Sequence, residues 1–193
     1  GKTTQISVSK ARALARVIIK AAKYNNKMGG FDIEQLLRIK DPALLREYID
    51  DVFQDLSQAQ RDNLFDGLRN NILSTRSVSL AAIKNNISKV VLISSDKAVR
   101  PTNIMGSTKL FSELIIKELS RLPSCKTTFS TVRFGNVIDS SGSVIPLFRN
   151  QIRVGGPLTI TDPNMERYFM TISEAVNLVL EASVIMKGSE TFI

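Results

Sequence analysis

Residues 89–109 read KVVLISSDKAVRPTNIMGSTK, and this stretch decides the fold. The run KVVLIS is rich in β-branched residues, which is typical of a strand buried in a parallel sheet. The polar segment after it contains Pro101, Asn103 and Gly106 and leads into STKLFSELIIKELSRL. That second run has the apolar spacing of an amphipathic helix, and Pro123 ends it. A buried strand, a charged turn and a helix in this order indicate one unit of an α/β fold.

The same alternation extends from about residue 70 to the C-terminus. NILSTRSVSLAAIKNN predicts a helix that ends at Asn85 and Asn86, and TTFSTVRFGNV predicts a second strand. VIPLFRNQIRVGG predicts a helix ended by two glycines, and PLTI and RYFMTI predict short extended pieces. SEAVNLVLEASVIMK predicts a helix opened by Ser173 with Glu174 in its first turn, and ETFI predicts a last strand. We therefore predict an α/β fold with a parallel sheet.

The first 65 residues have a different pattern, which is helical throughout and lacks a strand signal. Residues 8–24 and FDIEQLLRIK at 31–40 each predict a helix, and Pro42 suits the first turn of another. Ser57 is the predicted cap of the helix after that. Apolar residues recur every four positions at Leu45, Ile49, Phe53 and Leu56. We predict a helical segment at 1–65 that is distinct from an α/β part at 66–193, and we expect the apolar stripe to make oligomer contacts.

The amino-acid composition limits which catalytic and metal-binding groups the chain can use. The 193 residues contain no histidine, which excludes Ser-His-Asp and Cys-His catalytic systems and histidine-ligated metal sites. Acid–base chemistry must therefore use Asp, Glu, Lys, Tyr or hydroxyl groups, and we predict no metal site. The single cysteine, Cys125, allows no internal disulfide and fits a reducing compartment, so we expect a cytoplasmic location. No apolar run approaches the ~20 residues that a membrane span needs.

The net charge of +8 is compatible with an anionic partner such as nucleic acid, phospholipid or a phosphorylated small molecule. The basic residues are spread along the chain, and few aromatic residues lie among them. This distribution favours a solvated basic surface, and we expect no nucleic-acid partner.

Polar side chains follow both predicted strands. Residues 94–97 come at the end of the first strand and residues 133–136 at the end of the second. Ligands of open α/β sheets bind beyond the carboxyl ends of the strands. Position alone leaves two interpretations equally open, a ligand site and a loop of solvated charges.

Three segments resemble a known family. They are VVLISSDKAVRPTNIMGSTK, VRFGNVIDSSGSVIPLFRNQI and RYFMTISEAVNLVLEA, and they occur in the order found in the nucleotide-sugar 4,6-dehydratases of bacterial polysaccharide biosynthesis. These enzymes belong to the extended short-chain dehydrogenase/reductase superfamily. The resemblance runs from about Leu68 to the end of the chain. It implies a Rossmann-like parallel sheet, NAD or NADP as cofactor, a nucleotide-sugar substrate of the UDP-N-acetylglucosamine type, and a homo-oligomer.

The resemblance also assigns cofactor contacts. The superfamily's Tyr-x-x-x-Lys motif falls on Met105 to Lys109, so Lys109 is expected to hydrogen-bond the nicotinamide ribose. Ser94 and Met105 are expected beside the cofactor. Because Met105 replaces the tyrosine, the chain resembles the branch of the family that lacks this residue.

In that branch a Thr-Asp-Lys triplet carries the acid–base chemistry, and here the triplet reads Ser95-Asp96-Lys97. The reaction oxidises the sugar at its 4-hydroxyl, removes the proton on the neighbouring carbon and expels the 6-hydroxyl. We assign Lys97 as the base and Asp96 as the acid, with Ser95 assisting. A neutral lysine and a protonated aspartate both need shifted pKa values, so we expect the two side chains to point into different surroundings.

Other positions match substrate contacts of the family. They are Arg133, Asn136, Ser143, Val144, Leu147 and Arg167. For Arg133 a structural ion pair at the strand end is an equally good interpretation. Leu147 and Phe148 suit a hydrophobic core equally well.

The sequence departs from the family in one respect. It has no Gly-rich phosphate loop after a first strand, since Gly29 and Gly30 follow a helix pattern. Compared with the family, we expect the first three βα units to be missing from this sequence, with the seam between about Leu56 and Asn70. We expect a longer parent protein and, in this chain, an exposed flank of the sheet and exposed helix faces.

Two alternatives remain beside the dehydratase. A nucleotide-sugar epimerase of the same superfamily also begins with oxidation at the 4-position, but it needs no acid for a leaving 6-hydroxyl. A non-catalytic interaction module would explain the missing glycine loop. The triplet at 95–97 together with Met105 favours dehydration.

Overall fold

The computed structural model describes residues 38–54, 56–140 and 143–193, which contain six α-helices and five short strands. The helices are α1 (Pro42–Val52), α2 (Gln58–Asp66), α3 (Ser74–Lys84), α4 (Ile104–Leu119), α5 (Val144–Arg153) and α6 (Ile172–Ile185). The strands are β1 (Lys89–Ser95), β2 (Thr128–Phe134), β3 (Asn136–Val137), β4 (Phe169–Met170) and β5 (Thr191–Phe192). A π-helical segment, Gly67–Leu73, joins α2 to α3, so the chain is helical without interruption across the predicted boundary at residue 65.

Three of these strands form a parallel sheet in the order β1-β2-β5. This confirms the predicted α/β fold. The second predicted strand is divided at Gly135, because β2 ends at Phe134 and β3 pairs instead with β4 in a separate parallel pair. The PLTI segment at 157–160 forms no strand.

Polar caps set where the helices begin. Asn103 accepts a hydrogen bond from the Gly106 amide at 2.8 Å, so α4 begins at Ile104, ahead of the predicted start. Ser57 caps α2 as predicted. The predicted cap of α6 at Ser173 is wrong. Thr171 occupies that position and forms a capping box with Glu174, because its extended backbone and hydroxyl satisfy the first free amides of the helix.

The apolar stripe of α1 is buried within the chain itself. Leu45, Ile49 and Phe53 are at most 1% exposed, and they belong to one hydrophobic cluster with Phe111 and Ile115 of α4. The expectation that this stripe makes oligomer contacts is therefore wrong, because its partner surface lies in the same chain. The division into domains at residue 65 stays a prediction. Residues 38–54 and 56–65 contain no strand, and the helices predicted at 8–24 and across most of 31–40 lie outside the described residues.

One flank of the sheet is uncovered. Within the described ranges no strand pairs with the outer edge of β1, whose Ile93 is 48% exposed. One face of α6 carries exposed apolar side chains at a spacing of four residues, namely Ile172, Val176, Leu180 and Val184. This confirms the expected exposure of a sheet flank and a helix face.

The shared core predicts the response to truncation of Phe53. Replacing its fully buried ring with alanine should lower the free energy of unfolding by about 3–5 kcal/mol in a single cooperative transition. Leu44→Ala on the same helix is the control, because Leu44 is 53% exposed and its loss should cost no more than about 0.5 kcal/mol. Urea unfolding followed by circular dichroism measures both variants. Separate transitions for the helical and α/β parts, or equal effects of the two variants, would contradict the shared core.

Glu190 predicts a pH dependence of stability. Its carboxylate accepts hydrogen bonds from the Ser130 hydroxyl and from the Lys187 and Gly188 amides, and the Ser130 bond contributes most to lowering the pKa of Glu190 to about 2. Because the folded pKa lies below the ordinary 4.5, this stabilisation is complete above pH 4.5 and is lost as pH falls towards 2. Glu190→Gln should therefore lower the Tm at neutral pH, and the difference from wild type should shrink below pH 4.5. A difference that is constant with pH would show that the carboxylate charge is not involved.

Candidate active site

The carboxyl ends of β1 and β2 lie side by side and open onto one cavity. Their register pairs Ser94 with Arg133 and Ser95 with Phe134. The cavity at this edge has a volume of about 1010 Å³. Of the predicted catalytic and cofactor residues, those that line it are Ser94, Ser95, Lys97, Met105 and Lys109. Asp96 is not part of the lining and reaches the cavity only through its contact with Lys97.

A short 3₁₀ turn, Asp96–Ala98, holds the predicted catalytic triplet together. The Ser95 hydroxyl accepts from the Lys97 amide at 3.3 Å and donates to Asp96 Oδ1 at 2.8 Å. The Lys97 ammonium donates to Asp96 Oδ1 at 2.9 Å and to Asn136 Oδ1 at 3.3 Å. The turn therefore joins the side chains of Ser95, Asp96 and Lys97 after β1, and Lys97 links them to Asn136 in β3.

The side chains of Asp96 and Lys97 form an ion pair, so the expectation that they point into different surroundings is wrong. Burial alone would raise the pKa of Asp96, but hydrogen bonds from Lys97 and Ser95 and the charge of Lys97 together lower it below its ordinary value. The Lys97 and Asp96 side chains are 39% and 54% exposed, so water screens the pair and its contribution to stability is small. The carboxylate is ionised in the free protein.

Lys109 lies deeper in the cavity wall. Its ammonium donates a hydrogen bond to the Ile93 carbonyl oxygen at 3.1 Å. Burial lowers the pKa of Lys109 below its ordinary value, and the charge of Glu113 opposes this shift. Lys109 therefore offers a partly desolvated cation to a ligand in the cavity.

Close packing at Gly106 sets the distance between the 3₁₀ turn and α4. A Cβ atom at this position would overlap the carbonyl oxygen of Lys97 and lie 3.1 Å from its carbonyl carbon. Only a residue without a side chain lets the first turn of α4 approach the backbone of Lys97 this closely.

Most of the predicted substrate residues line the same cavity. They are Asn136, Ser143, Val144 and Arg167, and Phe148 joins them instead of forming core. Leu147 does not line the cavity and is 48% exposed. The buried Ser143 hydroxyl has no hydrogen-bond partner among the described residues, and the Arg167 guanidinium donates only to the Glu166 carbonyl oxygen. Both groups are available to a polar ligand.

Arg133 is placed differently from the predicted substrate contact. Its Nε and Nη2 atoms donate to the two carboxylate oxygens of Glu113 at 2.9 and 2.5 Å. The guanidinium does not line the large cavity, and the side chain is only 17% exposed. The structural ion pair, which was the other interpretation of Arg133, is the one that the structure contains. Direct substrate contact through the Nε and Nη2 atoms is disfavoured, because both atoms already donate to Glu113.

Sequence reasoning missed two residues of this site, Gly106 and Glu113. Met105, Lys109 and Glu113 recur every four residues and so share one face of α4. From this spacing, the sequence could have predicted that Glu113 lies on the same side of the helix as Lys109. The far wall of the cavity, which includes residues 159–163, carried no recognisable motif.

In the part of the chain that the structure describes, no group of three or more His, Cys, Asp or Glu side chains is arranged to hold a metal ion. None of the helices described there is long and apolar enough to cross a membrane.

The sequence profile of the polysaccharide biosynthesis protein family matches residues 58–193, more than half of the chain. The capsular polysaccharide biosynthesis protein CapD of Staphylococcus aureus is 53% identical over 131 residues, which are 68% of this chain and 22% of CapD. A UDP-glucose 4-epimerase of Rickettsia canadensis is 47% identical over 118 residues, which are 61% of this chain and 35% of the epimerase. The chain thus spans less than half the length of these relatives.

Solved structures show the same fold. Pen from Bacillus thuringiensis is 48% identical and superimposes with a TM-score of 0.59 over 63% of this chain and 38% of Pen. MoeE5, solved with UDP-glucose and NAD, has a TM-score of 0.56 over 64% of this chain and 47% of MoeE5. At 18% identity the likeness to MoeE5 concerns the fold alone.

The packing at Gly106 predicts a contrast between two glycines of the cavity region. Gly106→Ala should lower the free energy of unfolding by about 1–3 kcal/mol, because the added methyl group forces the Lys97 backbone away from α4. Gly135→Ala is the matched control, since a Cβ there meets nothing within 4 Å, and it should leave stability unchanged or slightly raised. Thermal unfolding measures both. Equal stability of the two variants would show that the turn and α4 are not closely packed.

Proposed function

We propose that this chain, which belongs to the polysaccharide biosynthesis protein family, carries the catalytic turn and the substrate wall of an NAD-dependent nucleotide-sugar 4,6-dehydratase. The proposed substrate is a UDP-linked amino sugar of the UDP-N-acetylglucosamine type. One observation carries the proposal: the Ser95-Asp96-Lys97 turn and Lys109 meet at a single large cavity beyond the sheet edge. The 53% identity to a capsular polysaccharide biosynthesis protein supports it.

The residues present fit one end of the cofactor. Lys109 offers a cation to the nicotinamide ribose, with Met105 and Ser94 in the same wall, and NADP would make the same contacts there. When bound, NAD+ accepts a hydride from the sugar's 4-position and returns it at the 6-position. Because these 193 residues contain no Gly-rich loop after a strand, we propose that a further segment holds the pyrophosphate.

The ion pair of Asp96 and Lys97 can generate both catalytic groups in one step. Moving one proton across their 2.9 Å hydrogen bond converts ammonium and carboxylate into amine and carboxylic acid. A substrate that displaces water from the cavity favours this neutral pair, because desolvation penalises charges.

The neutral pair then performs the elimination. The Lys97 amine takes the proton from the carbon next to the 4-ketone, and the electron pair of that C–H bond forms the new double bond. The 6-hydroxyl leaves with the proton of Asp96 as water. The step restores the ammonium and the carboxylate. When the hydride returns to the 6-carbon, the Lys97 ammonium can give a proton to the neighbouring carbon, and the proton that the 4-hydroxyl releases on oxidation replaces it.

The 47% identity to a UDP-glucose 4-epimerase supports the alternative of an epimerase. An epimerase changes only the configuration of the sugar and needs no acid for a leaving group. The missing glycine loop supports the other alternative, a non-catalytic interaction module.

Mass spectrometry together with proton NMR of the sugar distinguishes these alternatives. The native protein is incubated with NAD+ and UDP-N-acetylglucosamine. A product lighter by one water supports dehydration, a product of unchanged mass with altered configuration supports epimerisation, and unchanged substrate supports the non-catalytic module. The intact mass of the native protein, compared with 21.4 kDa for these residues, tests the proposed further segment.

Substitutions in the ion pair predict a selective loss of turnover. Lys97→Ala and Asp96→Asn should each reduce kcat about 10²–10⁴-fold, the usual contribution of a general acid or base. Affinity for the nucleotide sugar should change little, because the groups act in the transition state. Lys126→Ala, at an exposed lysine outside the cavity, is the control and should leave kcat unchanged. Near-normal turnover of either site variant would refute the acid–base assignment.

The likeness to the dehydratase family also leads us to propose a homo-oligomer in the cytoplasm.

A further inference from the structure

Glu113 is a buried carboxylate that neither the resemblance nor the proposed reaction uses. It lies on α4 and is 8% exposed. Its oxygens accept three side-chain hydrogen bonds, one from the Ser94 hydroxyl and two from the Arg133 guanidinium. A carboxylate in such surroundings requires partners, because an unpaired buried charge is strongly unfavourable.

These bonds join three elements at the edge of the cavity. Ser94 is in β1 and Arg133 is its register partner in β2. Glu113 of α4 therefore links the ends of the two strands through its hydrogen bonds. Ser94 lines the cavity directly and precedes the catalytic triplet by one residue. A change in Glu113 therefore acts on the strand end from which the triplet projects.

The same carboxylate lies near Lys109, because Lys109 donates to the Ile93 carbonyl oxygen and Glu113 accepts from Ser94, the next residue of β1. Glu113 follows Lys109 by four residues on the same helix, and its charge opposes the lowering of the Lys109 pKa that burial causes. Arg133 forms an ion pair with the Glu113 carboxylate and so balances part of its negative charge. Lys117 and Glu190 line a smaller cavity that Glu113 and Arg133 also line. The charged groups around the large cavity are Lys97 with its partner Asp96 on the 3₁₀ turn, and Asp162 and Arg167 in the cavity wall.

We propose that Glu113 is a positioning residue, which fixes the ends of β1 and β2 through Ser94 and Arg133 and supports the positive charge of Lys109, whose ammonium binds the Ile93 carbonyl next to Ser94. The importance of this ammonium for NAD rests on the proposed function. The electrostatic link between Glu113 and Lys109 does not.

Two variants with opposite effects test the link. Glu113→Gln keeps the shape of the side chain but removes its charge, so the pKa of Lys109 should fall. Arg133→Gln removes the cation that balances Glu113, so the pKa of Lys109 should rise. The ¹³Cε signal of labelled Lys109 in the native protein reports this pKa by NMR titration. A scaffold role alone would move it in neither direction, and an unchanged or reversed shift in a folded variant would overturn the proposal.

Cofactor affinity gives a second readout. Glu113→Gln should weaken NAD binding about tenfold, a loss equivalent to about 1.4 kcal/mol, and the loss should grow as pH rises. In a Lys109→Met background the same substitution should have little further effect, because its target is gone. An equal loss in both backgrounds would contradict action through Lys109. If wild type binds no NAD, the proposed function fails, and the NMR titration still decides the role of Glu113.

Discussion

The parallel pairing of β1 with β2 is the constraint on which the rest of the structure depends. Their register runs from Lys89 opposite Thr128 to Ser95 opposite Phe134. A slip of one residue would separate Ser94 from Arg133 and Ser95 from Phe134. Because both strands end at the same edge, their polar ends meet, and the cavity of the candidate site lies there.

Helix α4 packs against the core with one face and contacts the strand ends with the other. One face carries Phe111 and Ile115 into the core shared with α1 and α2. The opposite face carries Lys109 and Glu113 towards the strand ends, because residues two apart on a helix point in nearly opposite directions. Burial of the apolar face therefore orients the charged face. Helices α1 and α2 consequently support the site through this core, although none of their residues lines the cavity.

The site combines an exposed ion pair with a buried one, and the two differ in physical character. Asp96 and Lys97 are partly exposed to water, which screens their attraction and keeps both groups charged until a ligand displaces that water. Glu113 and Arg133 are largely buried and doubly hydrogen-bonded, so they hold their charges and their geometry. The first arrangement suits proton transfer, and the second suits the support of a strand end.

The sequence by itself determined the α/β class, β1 and β2, most helices and the segment 94–109, because hydrophobic periodicity and turn residues act over a few positions. It also predicted that Lys97 and Lys109 face one cavity, which both of them line, and their roles stay predictions. Only the tertiary structure decided that the α1 stripe packs on α4, that Thr171 caps α6, that Asp96 pairs with Lys97, and that Arg133 turns to Glu113. The stripe and Arg133 depend on contacts between residues distant in sequence, and the cap and the Asp96 pair depend on backbone angles and side-chain directions. Neither kind of information is contained in local apolar spacing, because many arrangements in space satisfy the same pattern.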